Sequence, residues 1–291
     1  PAGEYYAEFT IFSTNDPAII ETLNLTVMVN QYFGFNVSSV DEVVFVLPGG
    51  NESYEFDVSN VGNGNDAALI SILSYPDWCY IEQTKLLFQV GETKTVQIWI
   101  NPPAHQLAGD YSLSIRIASE NQTTSYVTHD VTVHVLDVYG VELHADNVNA
   151  LPGMEQEFSI YVTNTGNVED TFNLTLSGDY ASWCTLSVDS ITLDGNTGGW
   201  VMLSVTPPED TANGDYILYF TARSTHDANV NATIPVTITV DAYYDFTVSP
   251  ASLTMDVVPA ESYSIQFTLL NTGNMSDSYG ISTTLPAGWN I

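Results

Sequence analysis

The chain repeats itself, and the length of the period restricts what it can fold into. VSNVGNGNDAALISIL at 58–73 returns as VTNTGNVEDTFNLTL at 162–176 and as LLNTGNMSDSYGIS at 269–282. Each copy carries Asn-x-Gly-Asn-x-x-Asp: Asn60, Gly62, Asn63 and Asp66; Asn164, Gly166, Asn167 and Asp170; Asn271, Gly273, Asn274 and Asp277. A tryptophan follows each copy, and Trp78, Trp183 and Trp289 stand 105 and 106 residues apart. Pro-Pro (102–103, 207–208) and Gly-Asp-Tyr (109–111, 214–216) come next in both of the first two copies. Self-similarity at a fixed period marks a tandem array, and about 100 residues is the size of one β-sandwich domain.

Within a repeat the apolar residues alternate. Phe158, Ile160 and Val162 do so, as do Phe172, Leu174 and Leu176, and Ile234, Val236, Ile238 and Val240. Period two gives a strand with one buried and one wet face. No segment shows a helical period, and Gly, Pro, Asn and Asp clusters punctuate every dozen residues or so. The expected fold class is all-β: tandem immunoglobulin-like antiparallel β-sandwiches of about seven strands each, arranged as beads on a rod. Residues 1–33 align with 212–244, so they read as the C-terminal half of a repeat. Complete repeats are expected at 34–140 and 141–244, and 245–291 reads as an N-terminal half. In the shared motif, Gly is expected to supply the positive φ of a tight turn. Pro-Pro is expected to end a strand, and the Gly-Asp-Tyr tyrosine to tie a loop through its hydroxyl. Each Trp is expected to fill the core near one end.

Charge excludes several functions. There are 35 acids against four bases, Lys85, Lys94, Arg116 and Arg223, for a formal charge of −31. Without a cationic patch the chain does not neutralise phosphates or an anionic membrane surface, so nucleic acid is excluded as a partner. No apolar run is long enough to insert into a bilayer, and the opening PAGEYYAEF reads as a strand, not as an export signal. High salt, divalent cations or acid surroundings would each make such an acidic surface tolerable.

The order Asn-Thr-Gly-Asn…Asp, then Trp, then Thr-Pro-Pro…Gly-Asp-Tyr…Phe-Thr-Ala-Arg-Ser resembles a group of prokaryotic, archaeal-type tandem immunoglobulin-like surface repeats. They are similar to the module found beside some alpha-galactosidases and to the CARDB-like cell-adhesion-related domains. The resemblance covers nearly the whole chain. It departs in Asn-Val-Gly-Asn at 60–63 and in Asn290 where the other repeats have Cys after Trp. It implies an extracellular, cell-surface spacer, adhesin, surface-layer (S-layer) or filament component, and it carries over no catalytic residue.

Three kinds of chemistry remain as candidates. Cys79 and Cys184 hold equivalent positions in successive repeats, one domain length apart in an extended array, beyond the roughly 7 Å a disulfide spans. They are expected to be buried free thiols, or else an intermolecular link. Asn63, Asp66, Asn167, Asp170, Asn274 and Asp277 are hard oxygen groups beside a turn and are candidate Ca²⁺ ligands, with Asp146, Asp194, Asp210 and Asp215 as contributors elsewhere. No cofactor is otherwise required. Asn24, Asn36, Asn51, Asn121, Asn173, Asn231 and Asn274 head Asn-x-Ser/Thr sequons, the acceptors of N-glycans. Asn173 and Asn231 lie in strands and qualify only if they face outward. The five histidines are scattered, no recurrent catalytic constellation is present, and no enzyme is expected.

The function expected from the sequence is therefore structural: a stalk, surface-layer strand or filament that self-associates, with half repeats completing one another between copies. The alternative is a carbohydrate- or protein-binding accessory or adhesin module of a larger secreted protein. A strip of aromatics on one sheet face would favour a sugar ligand. The alternating pattern instead assigns Phe158, Phe172 and Phe220 to the core.

Overall fold

The computed structural model describes residues 1–74 and 76–289, so Asn290 and Ile291 of the last half repeat lie outside the described residues. Two compact units are present, Pro1–Val138 and Tyr139–Ile291.

In the first unit, β1 (Gly3–Phe12) and β2 (Ile20–Val29) form a two-stranded hairpin. A sandwich follows, built from β3 (Phe35–Ser38), β4 (Val43–Val46), β5 (Glu52–Asn60), β6 (Asp66–Ser74), β7 (Cys79–Ile81), β8 (Lys85–Phe88), β9 (Thr93–Ile100), β10 (Gly109–Ser119) and β11 (Tyr126–Val135). One sheet runs β3-β5-β9-β7 and the other β4-β11-β10-β6-β8. All neighbours are antiparallel except β4 and β11.

The second unit repeats this plan. Its strands are β12 (Val141–Ala145), β13 (Val148–Ala150), β14 (Gln156–Asn164), β15 (Asp170–Ser177), β16 (Cys184–Leu186), β17 (Ser190–Leu193), β18 (Gly198–Val205), β19 (Gly214–Ser224) and β20 (Asn231–Val240). The sheets are β12-β14-β18-β16 and β13-β20-β19-β15-β17, with β13 parallel to β20. A short pair, β21 (Phe246–Ser249) and β22 (Thr268–Asn271), follows.

The all-β sandwich expected from the alternation is present. Each sandwich has nine strands where the sequence suggests seven. The first strand crosses from one sheet to the other, and so counts as β3 and β4, or as β12 and β13. A short β7 or β16 also joins the edge of the four-stranded sheet.

The alternating residues fill the space between the sheets. Phe56, Ile98, Ile100, Leu113, Ile115 and Ile117 are buried in the first core, and Phe172, Phe220, Ile160, Leu203, Leu218 and Ile238 in the second. Each such side chain contributes about 1.5–3 kcal/mol by leaving water. The Gly-Asp-Tyr tyrosines do tie loops. The Tyr111 and Tyr216 hydroxyls donate to the carbonyls of Leu107 and Ala212, at 2.9 and 2.8 Å, and Tyr5 of Gly-Glu-Tyr donates likewise to Pro1 O at 2.9 Å. Trp78 packs edge-on against Tyr111 and Trp183 tilted against Tyr216, so indole and phenol close the same end of each sandwich. Tyr216→Phe is expected to lower the unfolding free energy by about 1 kcal/mol, the net worth of one hydrogen bond, with an unchanged denaturant slope in urea titration.

Candidate functional site

The recurrent Asn-x-Gly-Asn-x-x-Asp motif is where the structure concentrates its polar chemistry. Its first asparagine is a bolt between sheets. Asn164 ends β14 in the four-stranded sheet and is 1% exposed. Its Nδ2 donates to Val168 O and Leu193 O at 2.8 and 3.0 Å, while its Oδ1 accepts from Gly166 N at 2.9 Å. Leu193 belongs to β17, in the opposite sheet. Asn60 does the same, donating to Gly64 O and Gln89 O and accepting from Gly62 N. Asn271 keeps the turn bonds, to Met275 O and from Gly273 N.

The second asparagine grips the incoming chain. Asn63 Oδ1 accepts from Tyr32 N at 2.8 Å and its Nδ2 donates to Asn30 O at 2.8 Å. Asn274 repeats this on Tyr243 N and Asp241 O, at 2.7 and 2.9 Å. Main-chain bonds from Asn63 N to Tyr32 O and from Asn274 N to Tyr243 O complete each clamp. Asn167 is buried.

The motif's glycine makes room for this clamp. The sequence suggests a positive φ, but Gly62, Gly166 and Gly273 are absent from the left-handed region. A Cβ on Gly62 would lie 2.7 Å from Tyr32 O, and one on Gly273 would collide with Tyr243 O. Close approach of a neighbouring backbone is therefore what excludes a side chain.

The aspartate fastens a third segment. Asp66, Asp170 and Asp277 each accept from the next residue's N–H, at 2.7, 2.7 and 2.6 Å. In the complete repeats the same Oδ1 also takes a donor from the loop after β10 or β19: Asn121 Nδ2 at 2.9 Å on Asp66, and His226 Nδ1 at 2.8 Å on Asp170. The ring of Tyr139 stacks on His226. The second oxygens of Asp66 and Asp170 are buried without a hydrogen-bond partner.

This arrangement does not fit Ca²⁺, which takes six to eight oxygens. Asn63 and Asn274 spend both amide atoms on the chain itself, and each aspartate offers one free oxygen. Among the described residues no three His, Cys, Asp or Glu side chains come together. Of the other acids, Asp215 accepts from Thr239 Oγ1, Asp146 stands 3.7 Å from His144, and Asp194 contributes its main-chain carbonyl to Asn164; Asp210 makes none of these contacts.

The sequons divide. Asn24 on β2, Asn36 on β3, Asn51, Asn121, Asn173 on β15 and Asn231 on β20 are exposed, so both strand positions face outward. Asn274 is half-buried, with its amide nitrogen on Asp241 O.

Both thiols are free and buried, and burial pushes Cys79 up to about 12 and Cys184 up to about 11. Burial also lowers His129, which stacks on Tyr54, tilts against Phe56 and lies 2.7 Å from the Tyr54 hydroxyl. Since that hydroxyl donates to Asp41 O, the neutral ring donates through Nε2.

One feature escaped sequence reading. Trp200 and Tyr161 form a cross-strand pair on the outer face of the four-stranded sheet, and Tyr80 and Trp99 pair similarly in the first unit. The core position expected of the alternating aromatics holds for Phe172 and Phe220, Phe158 is partly buried against the same core, and these four stand outside it. The polar Ser159 and Thr163 of β14, which share its parity, could have found Tyr161.

No protein-family model matches the chain, and no curated protein matches it. Among solved structures it is similar to protocadherin gamma B2 extracellular cadherin domains 1–5, at 11% identity and TM-score 0.53, covering 94% of this chain and 59% of that one. Protocadherin gamma B2 domains 3–6 align at 12% identity and TM-score 0.49, over 93% of this chain and 67% of that one. The likeness to domains 1–5 shows an all-β sandwich fold. Among the described residues no helix is long and apolar enough to cross a membrane.

The two asparagines are expected to differ in weight. Asn164→Ala strands buried carbonyls and is expected to cost about 2–3 kcal/mol in urea unfolding. Asn63→Ala is expected to cost about 1 kcal/mol or less, and to speed hydrogen exchange at the Tyr32 amide.

The thiols make a separate test. In native protein at pH 8 neither cysteine is expected to react with an aromatic disulfide reagent within minutes, and both are expected to react in urea. A folded pKa raised above the ordinary 9.0 keeps the proton on the native thiol while the unfolded one ionises. Stability is therefore expected to fall as pH rises past about 9.

Proposed function

We propose that the chain is a non-catalytic structural segment of an extracellular surface assembly, of the archaeal-type tandem-repeat kind. It serves as a stalk, surface-layer strand or filament that associates with further copies of itself. The observation that carries this reading is that one sandwich plan, with the same asparagine bolt and the same tied tyrosine, recurs in successive repeats of one chain, the arrangement of a quasi-linear array.

Asparagine-linked glycans on the exposed sequons belong to the same surface role and would limit which faces are free to associate. Electron microscopy of untagged material from source cells tests the reading. Fibres or sheets with a spacing that is a multiple of one sandwich are expected. Isolated rods that stay apart at high concentration would overturn self-association.

A further inference from the structure

We propose that the outer face of the four-stranded sheet of the second unit binds a neutral carbohydrate, through a row formed by His144, Tyr161 and Trp200. The three positions lie abreast on β12, β14 and β18, in register His144 to Tyr161 to Trp200. Trp200 is 63% exposed and the His144 side chain 72% exposed. The rings of Tyr161 and Trp200 are 4.6 Å apart and tilted by 53°, so each offers its own face to solvent and the pair forms a shallow, angled platform. A glycine helps to shape it. A Cβ on Gly198 would come 2.5 Å from the Tyr161 hydroxyl, and Gly198 is absent from the left-handed region, so its missing side chain gives space to the phenol.

The row departs from the repeat. The equivalent row of the first unit, in the same register, is Ser38, Asp57 and Thr95, where the Thr95 hydroxyl donates to Asp57 at 2.7 Å. The fold thus accepts a polar row at these positions. The second repeat exposes three rings there instead, at the cost of leaving a large indole in water, and exposed aromatic patches mark interaction sites.

Chemistry narrows the occupant. Of the four basic residues only Arg223 lies in the second unit, on β19 of the other sheet, where it bonds to Ala228 O. Glu142 and Glu157 flank the row on the same outward face as Tyr161. Anionic ligands, including nucleic acid and acidic glycans, are repelled. A protein partner needs about 800 Å² on its side with an apolar centre, more than one row three residues wide supplies. A pyranose fits: its C–H face carries the positive edge that an aromatic face attracts, and its rim of hydroxyls meets carboxylates and the Ser159 and Thr163 hydroxyls of β14.

The test is a calorimetric and two-dimensional NMR titration of the whole 291-residue chain. The probes are neutral hexasaccharides of glucose, mannose and xylose, with hexagalacturonate as an anionic comparator. At least one neutral probe is expected to bind and to shift resonances of β12, β14 and β18. Trp200→Thr, which copies the first repeat, is expected to weaken binding at least about tenfold. Trp200→Tyr is expected to recover part of the loss, and Thr95→Ala to change nothing. His144→Ala serves as a second variant should Trp200→Thr disturb the fold. Failure of every neutral probe at millimolar concentration, unchanged affinity in Trp200→Thr, or preference for hexagalacturonate would overturn the proposal.

Discussion

A buried side-chain amide holds each sandwich shut where the main chain does not. β14 ends at Asn164, whose N–H bonds to Thr197 O, and the side chain of the same residue reaches the opposite sheet. It supplies two donors to carbonyls, one of them in the opposite sheet, and one acceptor to the turn it begins. A buried polar group costs stability unless satisfied, and a satisfied network selects one arrangement over its neighbours. This suits Asn at 60 and 164, with which Asn271 shares the two turn bonds. Asp lacks donors, and Gln is longer by one methylene.

The rest of the motif is arranged around that bolt. With the turn fixed by Asn60, the chain at 30–32 passes so close that Gly62 has no space for a side chain, and Asn63 then takes the passing N–H and carbonyl. Asp66 follows at the start of β6 and fastens the loop after β10 through Asn121. Three segments far apart in sequence are thus tied at one corner. The second repeat puts His226 in place of Asn121 as the donor to Asp170. Either side chain presents one N–H at a similar reach, and geometry, not residue type, is what the site demands.

Period two made the strands and their buried faces legible in the sequence, because Phe172, Leu174 and their kind sit between polar neighbours. The corner tyrosine was legible because its loop geometry is local, with donor and acceptor four residues apart. The clamp was not. Its donor and acceptor lie 31 and 33 residues before Asn63, and nothing in the motif names them. Glycine is ambiguous in the same way, since a sequence does not separate a residue chosen for its φ from one chosen for its missing Cβ. The aromatic row was obscured by composition. In GGWVMLSV both parities carry large apolar residues, so alternation does not say which set faces inward. The answer comes from β14, where Ser159 and Thr163 mark the wet face and place Tyr161, and through the register Trp200, upon it.

The two complete repeats therefore separate what the array needs from what a single repeat adds. Residues that recur are mechanical: the sheet bolt, the clamp, the corner tyrosine and the buried thiol beside the Trp. Each acts on its own chain, and burial pushes the thiols of Cys79 and Cys184 up. Some residues that do not recur stand on outward faces, where a change costs little stability and leaves the core untouched. Ser38, Asp57 and Thr95 against His144, Tyr161 and Trp200 is the clearest such contrast. In a tandem array recognition has to come from such differences, because a feature shared by every repeat tells one repeat from another no better than the fold does.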